Sequence, residues 1–578
     1  MVKIEYKDGV PMVSSEMYEK DFADRHLLHA VIQKWAKEKP EALAIIDADG
    51  DGREITYKEL DDSATGIALK LLDMGYEKGD FIATSLPMLP EHIFLMYACF
   101  KIGVIIAPLD LRLKPPEVIR NVSLIQARGY IHLGKTPHAD FGQLALAVRQ
   151  NCPFIKDFVQ FSPPDECVEG SISIFQIGLE AMNLGEKARE EGPANPLLKK
   201  LLERTQTVKE TDGCLVVYTT GSTGYPKPAL LSHQNITAQN LGLGLGLGVA
   251  EDDRMLVNLP PSHVGGTTEQ MMTTFFFGGT NIILHIFDPV KTLKAVQDYK
   301  ATVLGQIPAL FELEWRLPNY NEFDLSSLKF GLYAGQEGTR PFVEKLSKMA
   351  QKMGTGYGLT ECAGFCTYSP IGGTVDEILA SVGYDMPFSP VTVRQPMKSN
   401  GTAGDIVPDG EIGEICLEGP QVFLGYVNNE EATKEAISMD GVLYTGDVGY
   451  KDEKGIHLSG RAKWVVKPKG YQVFPGEVEA YIAELGKVTS VAVVGVPHEV
   501  YSEGIIAFVE KKPDITLTTE EVIEHCKGIA SYKRPGHVVI LEQGEIPLNR
   551  VGKTDYVIIK EKALEEIEKL RAEGKWDK

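Results

Sequence analysis

Between Ile32 and about Gly460, short apolar runs alternate with stretches whose apolar residues recur at helical spacing. That alternation predicts an α/β chain. Residues 67–74 (IALKLLDM) carry helical spacing and lead into a strand at 81–85 (FIATS); a helix at 91–100 precedes a strand at 103–107. Further strands are predicted at 214–218 (CLVVY), 255–258, 281–284, 302–304 and 330–333. From Gly401 the texture shifts to short strands between glycine turns, as in DGEIGEICLEGPQVFLGY, and predicts a β-rich subdomain. After Gly460 the pattern resets to strands at 490–496 and 504–509, a helix at 519–529 and a charged amphipathic helix at 556–573. The reset sets a boundary at Lys463 and two domains, 1–462 and 463–578. The run LGLGLGLG at 241–248 has no assigned conformation, because each glycine costs a helix about 1 kcal/mol relative to alanine.

Composition narrows the class. The 578 residues suffice for about three or four domain-sized units, and 43% hydrophobic with 24% charged residues is ordinary for a globular chain. The formal net charge of −21 disfavours binding to nucleic acid or anionic membrane. That charge is uneven: residues 461–578 hold 18 basic against 19 acidic side chains, so the acidity lies upstream. Within this part, RAKWVVKPKG at 461–470 has four basic residues and no acid, which suits a small anionic ligand or a solvated loop. Eight cysteines without a C-x-x-C pattern read as core thiols in a reducing compartment. The N-terminal residues lack an apolar signal core, and the longest apolar stretch, 93–107, is broken by Lys101 and too short to span a bilayer. A soluble, cytoplasmic protein is expected.

The chemistry concentrates in a few motifs. YTTGSTGYPK at 218–227 follows an apolar strand; its hydroxyls, glycines and terminal Lys227 form a donor-rich loop suited to a polyphosphate. It lacks the spacing of an ordinary P-loop, and by composition alone it could equally be a surface turn. PLNRVGKT at 547–554 imitates the end of a P-loop, but Pro547 stands where the first glycine belongs.

YTTGSTGYPK, GYGLTE at 356–361, YTGD at 444–447, GRAKWVVKPKGYQVFPGEVE at 460–479 and PLNRVGK at 547–553 occur together in this order. With them the chain resembles the adenylate-forming superfamily, specifically the AMP-forming acyl-CoA synthetases, over about residues 25–565. The resemblance implies a large N-terminal domain of α/β sandwich subdomains plus a β-rich subdomain, followed by a small mobile α+β domain. It also implies ATP, Mg²⁺ and coenzyme A acting on a small carboxylic acid in two half-reactions. The matching positions take these roles. Thr219, Thr220, Gly221, Ser222, Thr223, Gly224 and Lys227 would grip the β- and γ-phosphates. Gly356 and Tyr357 would flank adenine, with Tyr357 stacking and Gly335, Gln336 and Glu337 lining the other side. Thr360 would bond the α-phosphate, and Glu361 with Thr219 would hold Mg²⁺. Asp447 would accept the ribose hydroxyls, with Arg461 and Lys467 nearby. Lys463 would be the hinge, Lys553 the catalytic bridge between carboxylate and α-phosphate, and His263 the gate of the acyl pocket. Lys469, Gly470 and Lys533, beside Arg534, would meet coenzyme A.

Pro228 stands where the family usually has glycine, and AGQEG replaces the commoner adenine-side segment. Competing readings are an adenylation enzyme that loads a carrier protein, a catalytically dead nucleotide-binding protein, and, more distantly, a luciferase-like oxygenase. No carrier domain follows Lys553, and Glu361 and Lys553 are both retained. HVGG and GYGL contain no acidic residue to receive an ammonium group, which predicts a plain aliphatic or aromatic acid. Gly265 and Gly266 are expected to leave room in the pocket.

Overall fold

The structure, a computed structural model, describes residues 4–577 except 8, 51, 220–225, 337, 462–463, 467, 469–472, 501 and 550–552. The described chain is mixed α/β and divides into two compact units. One comprises Met1–Thr219, Pro226–Val391 and Leu417–Leu443; the other includes Thr392–Cys416 and Tyr444–Lys578.

Two large sheets organise the first unit. One has the strand order Gly425–Tyr426, Pro228–Ser232, Gly213–Tyr218, Ile105–Pro108, Phe81–Ser85, Gly129–Leu133, Asp157–Phe161, Ile172–Ser173. It is parallel from Gly213–Tyr218 onward, while Pro228–Ser232 and Gly425–Tyr426 add to its edge antiparallel. The other runs Lys352–Thr355, Phe330–Tyr333, Val303–Gln306, Arg254–Val257, Thr280–Ile283, Leu43–Asp47, Arg53–Thr56, parallel except for its last strand. The strands named from the sequence lie within two residues of their expected bounds, the usual latitude of helix and strand ends.

Two helices are buried on nearly every face. In Pro90–Ile102 even Lys101 is buried, its ammonium 2.6 Å from Asp61 Oδ1. The other, His233–Leu247, contains the glycine run whose conformation the sequence left open. Its glycines make room for aromatic rings. A Cβ on Gly244 would lie 2.0 Å from the Phe277 ring, and one on Gly242 2.5 Å from the Tyr368 hydroxyl. Close packing of these rings offsets the weak helix propensity, and Gly248, at φ +67°, caps the helix in the left-handed region.

The second unit holds the β-rich segment, a four-stranded sheet ordered Val391–Arg394, Gly413–Leu417, Leu443–Asp452, Gly455–Arg461. It also holds a three-stranded sheet of Val488–His498, Ser502–Lys511 and His537–Leu541, packed on Pro475–Ala483, Thr519–His525 and Tyr556–Ala572. The helix expected at 519–529 ends at His525 and continues as a 3₁₀ turn. All eight cysteines are free thiols, and all but Cys167 are buried. Among the described residues no helix is long and apolar enough to cross a membrane.

Candidate active site

In the first unit, the strand Gly213–Tyr218 delivers Thr219 to the sheet end, and the returning strand Pro228–Ser232 delivers Lys227. The two are locked together: Thr219 N–H donates to the Lys227 carbonyl at 2.9 Å, and Lys227 N–H lies 3.4 Å from Thr219 Oγ1. Pro228 is the first residue of its strand, where its missing N–H costs no ladder bond. Its carbonyl accepts from Val427 N–H at 2.9 Å, so this departure from the family pattern fits the sheet.

Next on that edge, Ala229 pairs with Tyr426. The Tyr426 hydroxyl donates to Glu361 Oε1 at 2.6 Å, and Lys227 Nζ lies 4.9 Å from the Tyr426 ring centroid. Glu361 sits in the 3₁₀ turn Thr360–Cys362, and its carbonyl accepts from Phe423 N–H at 3.0 Å. A carboxylate, a phenol, an ammonium and a hydroxyl therefore gather on adjacent elements of one sheet edge.

Gly356 and Tyr357 precede that turn. A Cβ on Gly356 would lie 2.1 Å from the Thr367 carbonyl, so only glycine lets the chain pass there. Tyr357 N–H donates to Thr367 Oγ1 at 2.9 Å, and the side chain is almost buried. Gly335 (φ +90°) and Gln336 lie exposed beyond the strand Phe330–Tyr333.

His263 is half-buried at the entry to a wide helical turn, Gly265–Met272. Its Nδ1 accepts from Gly265 N–H at 3.0 Å, which leaves Nε2 to carry the proton of the neutral ring. The room expected at Gly266 is not there: a Cβ would lie 2.4 Å from the Leu259 carbonyl and 2.6 Å from that of Pro260. Glycine there serves close backbone packing.

In the second unit, Asp447 and Arg461 are a cross-strand pair with Arg461 Nε 2.7 Å from Asp447 Oδ1. Asp447 N–H donates to Thr445 Oγ1 at 3.1 Å. Glu414 accepts from Gly446 N–H at 2.9 Å; burial raises its pKa, and the nearby Asp447 charge adds to this. Lys553 lies exposed, next to Thr554 of the Leu548–Thr554 bridge. Its N–H donates to Asn549 Oδ1 at 3.0 Å, and its carbonyl accepts from Asn549 N–H at 2.6 Å. The Lys533 ammonium is engaged by Glu477, and Arg534 donates to the carbonyls of Ile529 and Lys527. Thr220, Gly221, Ser222, Thr223, Gly224, Glu337, Lys463, Lys467, Lys469 and Gly470 lie outside the described residues.

A family model described as AMP-binding enzyme matches residues 32–427, and one described as AMP-binding enzyme C-terminal domain matches residues 477–553. The chain belongs to the AMP-binding, adenylate-forming enzymes. Acyl-CoA ligase sidI of Aspergillus fumigatus is 29% identical over 90% of this chain and 88% of its own length. A feruloyl-CoA synthase of Amycolatopsis is 29% identical over 90% of this chain and 95% of its own. The ATP-bound structure of MatB from Rhodopseudomonas palustris superposes with a TM-score of 0.75 at 25% identity, covering 93% of this chain and 99% of that one. This adenylate-forming enzyme is a ligase of the acid–thiol class.

Two side chains beside these residues escaped the sequence reading. Tyr426 stood in FLGY, read only as strand texture; its placement depends on a strand pairing across nearly two hundred residues of chain. Glu269 lies three residues beyond HVGG, and only the helical turn carries it back toward His263. A Cβ on Gly265 would come 3.6 Å from its Oε2.

Proposed function

We propose that the enzyme is an AMP-forming acyl-CoA synthetase. A carboxylate oxygen of the acid attacks the α-phosphorus of ATP, forming acyl-AMP and expelling pyrophosphate. The sulfur of the coenzyme A thiolate then attacks the acyl carbon, the thioester forms, and AMP leaves with the oxygen that came from the acid. The grouping of Glu361, Tyr426, Lys227 and Thr219 supports this reading most. It offers a cation, a positioned carboxylate and a hydroxyl at the base of a donor-rich loop, the requirements of a chelated polyphosphate.

The donor set fits Mg²⁺. Glu361 and Thr219 supply hard oxygens, and the described residues hold no cluster of three or more His, Cys, Asp or Glu that would form an all-protein cage. Mg²⁺ is commonly held by one or two carboxylates with substrate phosphates completing the shell. When bound, it would neutralise phosphate charge. Lys227 and the loop 219–224 would hold the β- and γ-phosphates, and Thr360 the α-phosphate. Tyr357, Gly356, Gly335, Gln336 and Glu337 would frame adenine; Asp447 would take the ribose hydroxyls beside Arg461 and Lys467. In this reading residues 463–578 form a domain that turns at Lys463 between half-reactions. Lys553 would serve the first, and Lys469 and Gly470 the second. Lys533 would exchange Glu477 for a coenzyme A phosphate. The enzyme would work in the reducing cytoplasm.

The test is pyrophosphate release with ATP and Mg²⁺ across a panel of carboxylic acids, with and without coenzyme A. Acid-dependent release that rises with coenzyme A, yielding AMP and a thioester, is expected. Release indifferent to coenzyme A would point instead to a carrier-protein acceptor. ATP binding without turnover of any acid would mark a catalytically dead protein.

A further inference from the structure

Gln306 ends the strand Val303–Gln306, and Asn258 follows the adjacent parallel strand Arg254–Val257. A chain of side-chain amides crosses these strand ends, and every member of it is buried. It starts in the helical turn Gly265–Met272, where Gln270 Oε1 accepts from the N–H groups of Asn258 at 3.2 Å and Leu259 at 3.3 Å. That fixes the orientation of the amide, so its Nε2 donates to the Gly305 carbonyl at 2.6 Å and to Asn258 Oδ1 at 3.3 Å. Asn258 Nδ2 in turn donates to Gln306 Oε1 at 2.7 Å. Because each amide accepts from the one before it, the chain reaches Gln306 with an N–H₂ group still to place, and only an acceptor can end it. Glu314, on the helix Pro308–Trp315, is that acceptor: its Oε1 receives Gln306 Nε2 at 2.9 Å.

Stability alone does not account for a carboxyl at this place. Glu314 is fully buried, its Oε2 has no hydrogen-bond partner among the described residues, and burial pushes its pKa up to about 8. Apolar side chains of the same shape in place of all these polar partners would be nearly neutral for folding. What a connected polar chain supplies instead is a single arrangement of the segments that carry it. Here those segments are residues 258–263 (NLPPSH), which end in His263, and the start of AGQEG, because the Gln306 carbonyl accepts from Ala334 N–H at 3.3 Å. Resting on the synthetase reading, with His263 as the gate of the acid pocket, we propose that Glu314 is a positioning residue for the acid. By ending the amide chain it holds residues 258–263 in one register, so that the bound carboxylate meets the α-phosphate in line. Without the acceptor the Gln306 amide turns over, its Nε2 faces Asn258 Nδ2, and the bond between the two strand ends is lost. A misplacement of about 1 Å at the reacting groups costs up to ~100-fold in rate.

The experiment measures kcat and KM for acid and for ATP in pyrophosphate release, with the acid that wild type turns over best in the panel. Full-length wild type is compared with Glu314→Leu, Glu314→Gln and Gln306→Met, each with its melting midpoint. The leucine variant lacks the acceptor and should lose about 10- to 100-fold in kcat/KM for the acid. Its KM for ATP should change less, because the main-chain bond to Ala334 remains. The glutamine variant keeps an acceptor oxygen and should lie closer to wild type than to the leucine variant. Gln306→Met breaks the chain one link earlier and should reproduce the leucine result. Glutamine and leucine variants that lose equally overturn the assignment, as does a leucine variant that raises both KM values alike, the mark of a general loosening. A folded Gln306→Met with wild-type kcat/KM overturns it even if Glu314→Leu does not fold. If wild type releases no pyrophosphate with any acid, the synthetase reading itself fails, and the positioning assignment falls with it.

Discussion

Replacing Tyr426 by phenylalanine removes one oxygen and leaves the ring on which Lys227 rests. The hydroxyl donates to Glu361 Oε1 at 2.6 Å, a charge-assisted bond within one sheet edge. A hydrogen bond to a charged group contributes about 1.5–3 kcal/mol, equivalent to roughly 10- to 150-fold in an equilibrium constant. The contact of Lys227 with the ring, at 4.9 Å from the centroid, survives in phenylalanine, so the hydroxyl is isolated. If Glu361 holds Mg²⁺, its orienting partner acts on metal affinity, where such losses run about 10- to 100-fold. The assay is initial rate against free Mg²⁺ at saturating ATP and acid. The apparent Mg²⁺ constant should rise by ~10-fold or more while KM for the acid stays unchanged. An unaltered Mg²⁺ dependence accompanied by a lowered melting midpoint would instead make Tyr426 a structural residue.

The other expectations are independent of that one. Lys553→Ala should depress acyl-AMP formation by ~100-fold or more and spare thioester formation from supplied acyl-AMP; equal loss in both would remove the lysine from the first half-reaction. Gly356→Ala places a methyl group 2.1 Å from the Thr367 carbonyl. It should cost about 1–3 kcal/mol and raise KM for ATP through Tyr357, so an unchanged melting midpoint would contradict the packing. Glu314 is buried beside Gln306, and burial pushes its pKa from 4.5 up to about 8. The folded chain therefore binds more protons than the unfolded chain between those values, and this contribution to stability falls as pH rises through the window. Glu314→Gln lacks that slope, so its melting midpoint relative to wild type should climb between about pH 5 and 8; a constant difference would place the ordinary carboxylate pKa back on Glu314.

Local signals made much of this enzyme legible. FIATS, CLVVY and residues 330–333 are short apolar runs between helical spacings, and each lies in an interior strand of a largely parallel sheet, where burial on both faces demands such runs. The glycine run at 241–248 was illegible because its helix depends on Tyr368 and Phe277, aromatic partners distant in sequence. The loop proposed to hold phosphate was readable as a candidate because a loop suited to phosphate is glycine- and hydroxyl-rich wherever it occurs. Tyr426 was not, since a tyrosine in a strand ordinarily means packing. What distinguishes it is its cross-strand pairing and its bond to Glu361.

If the acid is activated as an acyl-adenylate and released as a thioester with AMP, as proposed, one of its carboxyl oxygens ends on the nucleotide. The most direct test is a reaction with carboxylic acid labelled with heavy oxygen in its carboxyl group, ATP, Mg²⁺ and coenzyme A, followed by mass analysis of the nucleotide and phosphate products. AMP carrying one labelled oxygen, with unlabelled pyrophosphate, is expected. ADP as the nucleotide product, with the label in inorganic phosphate, would show an acyl-phosphate route and contradict it.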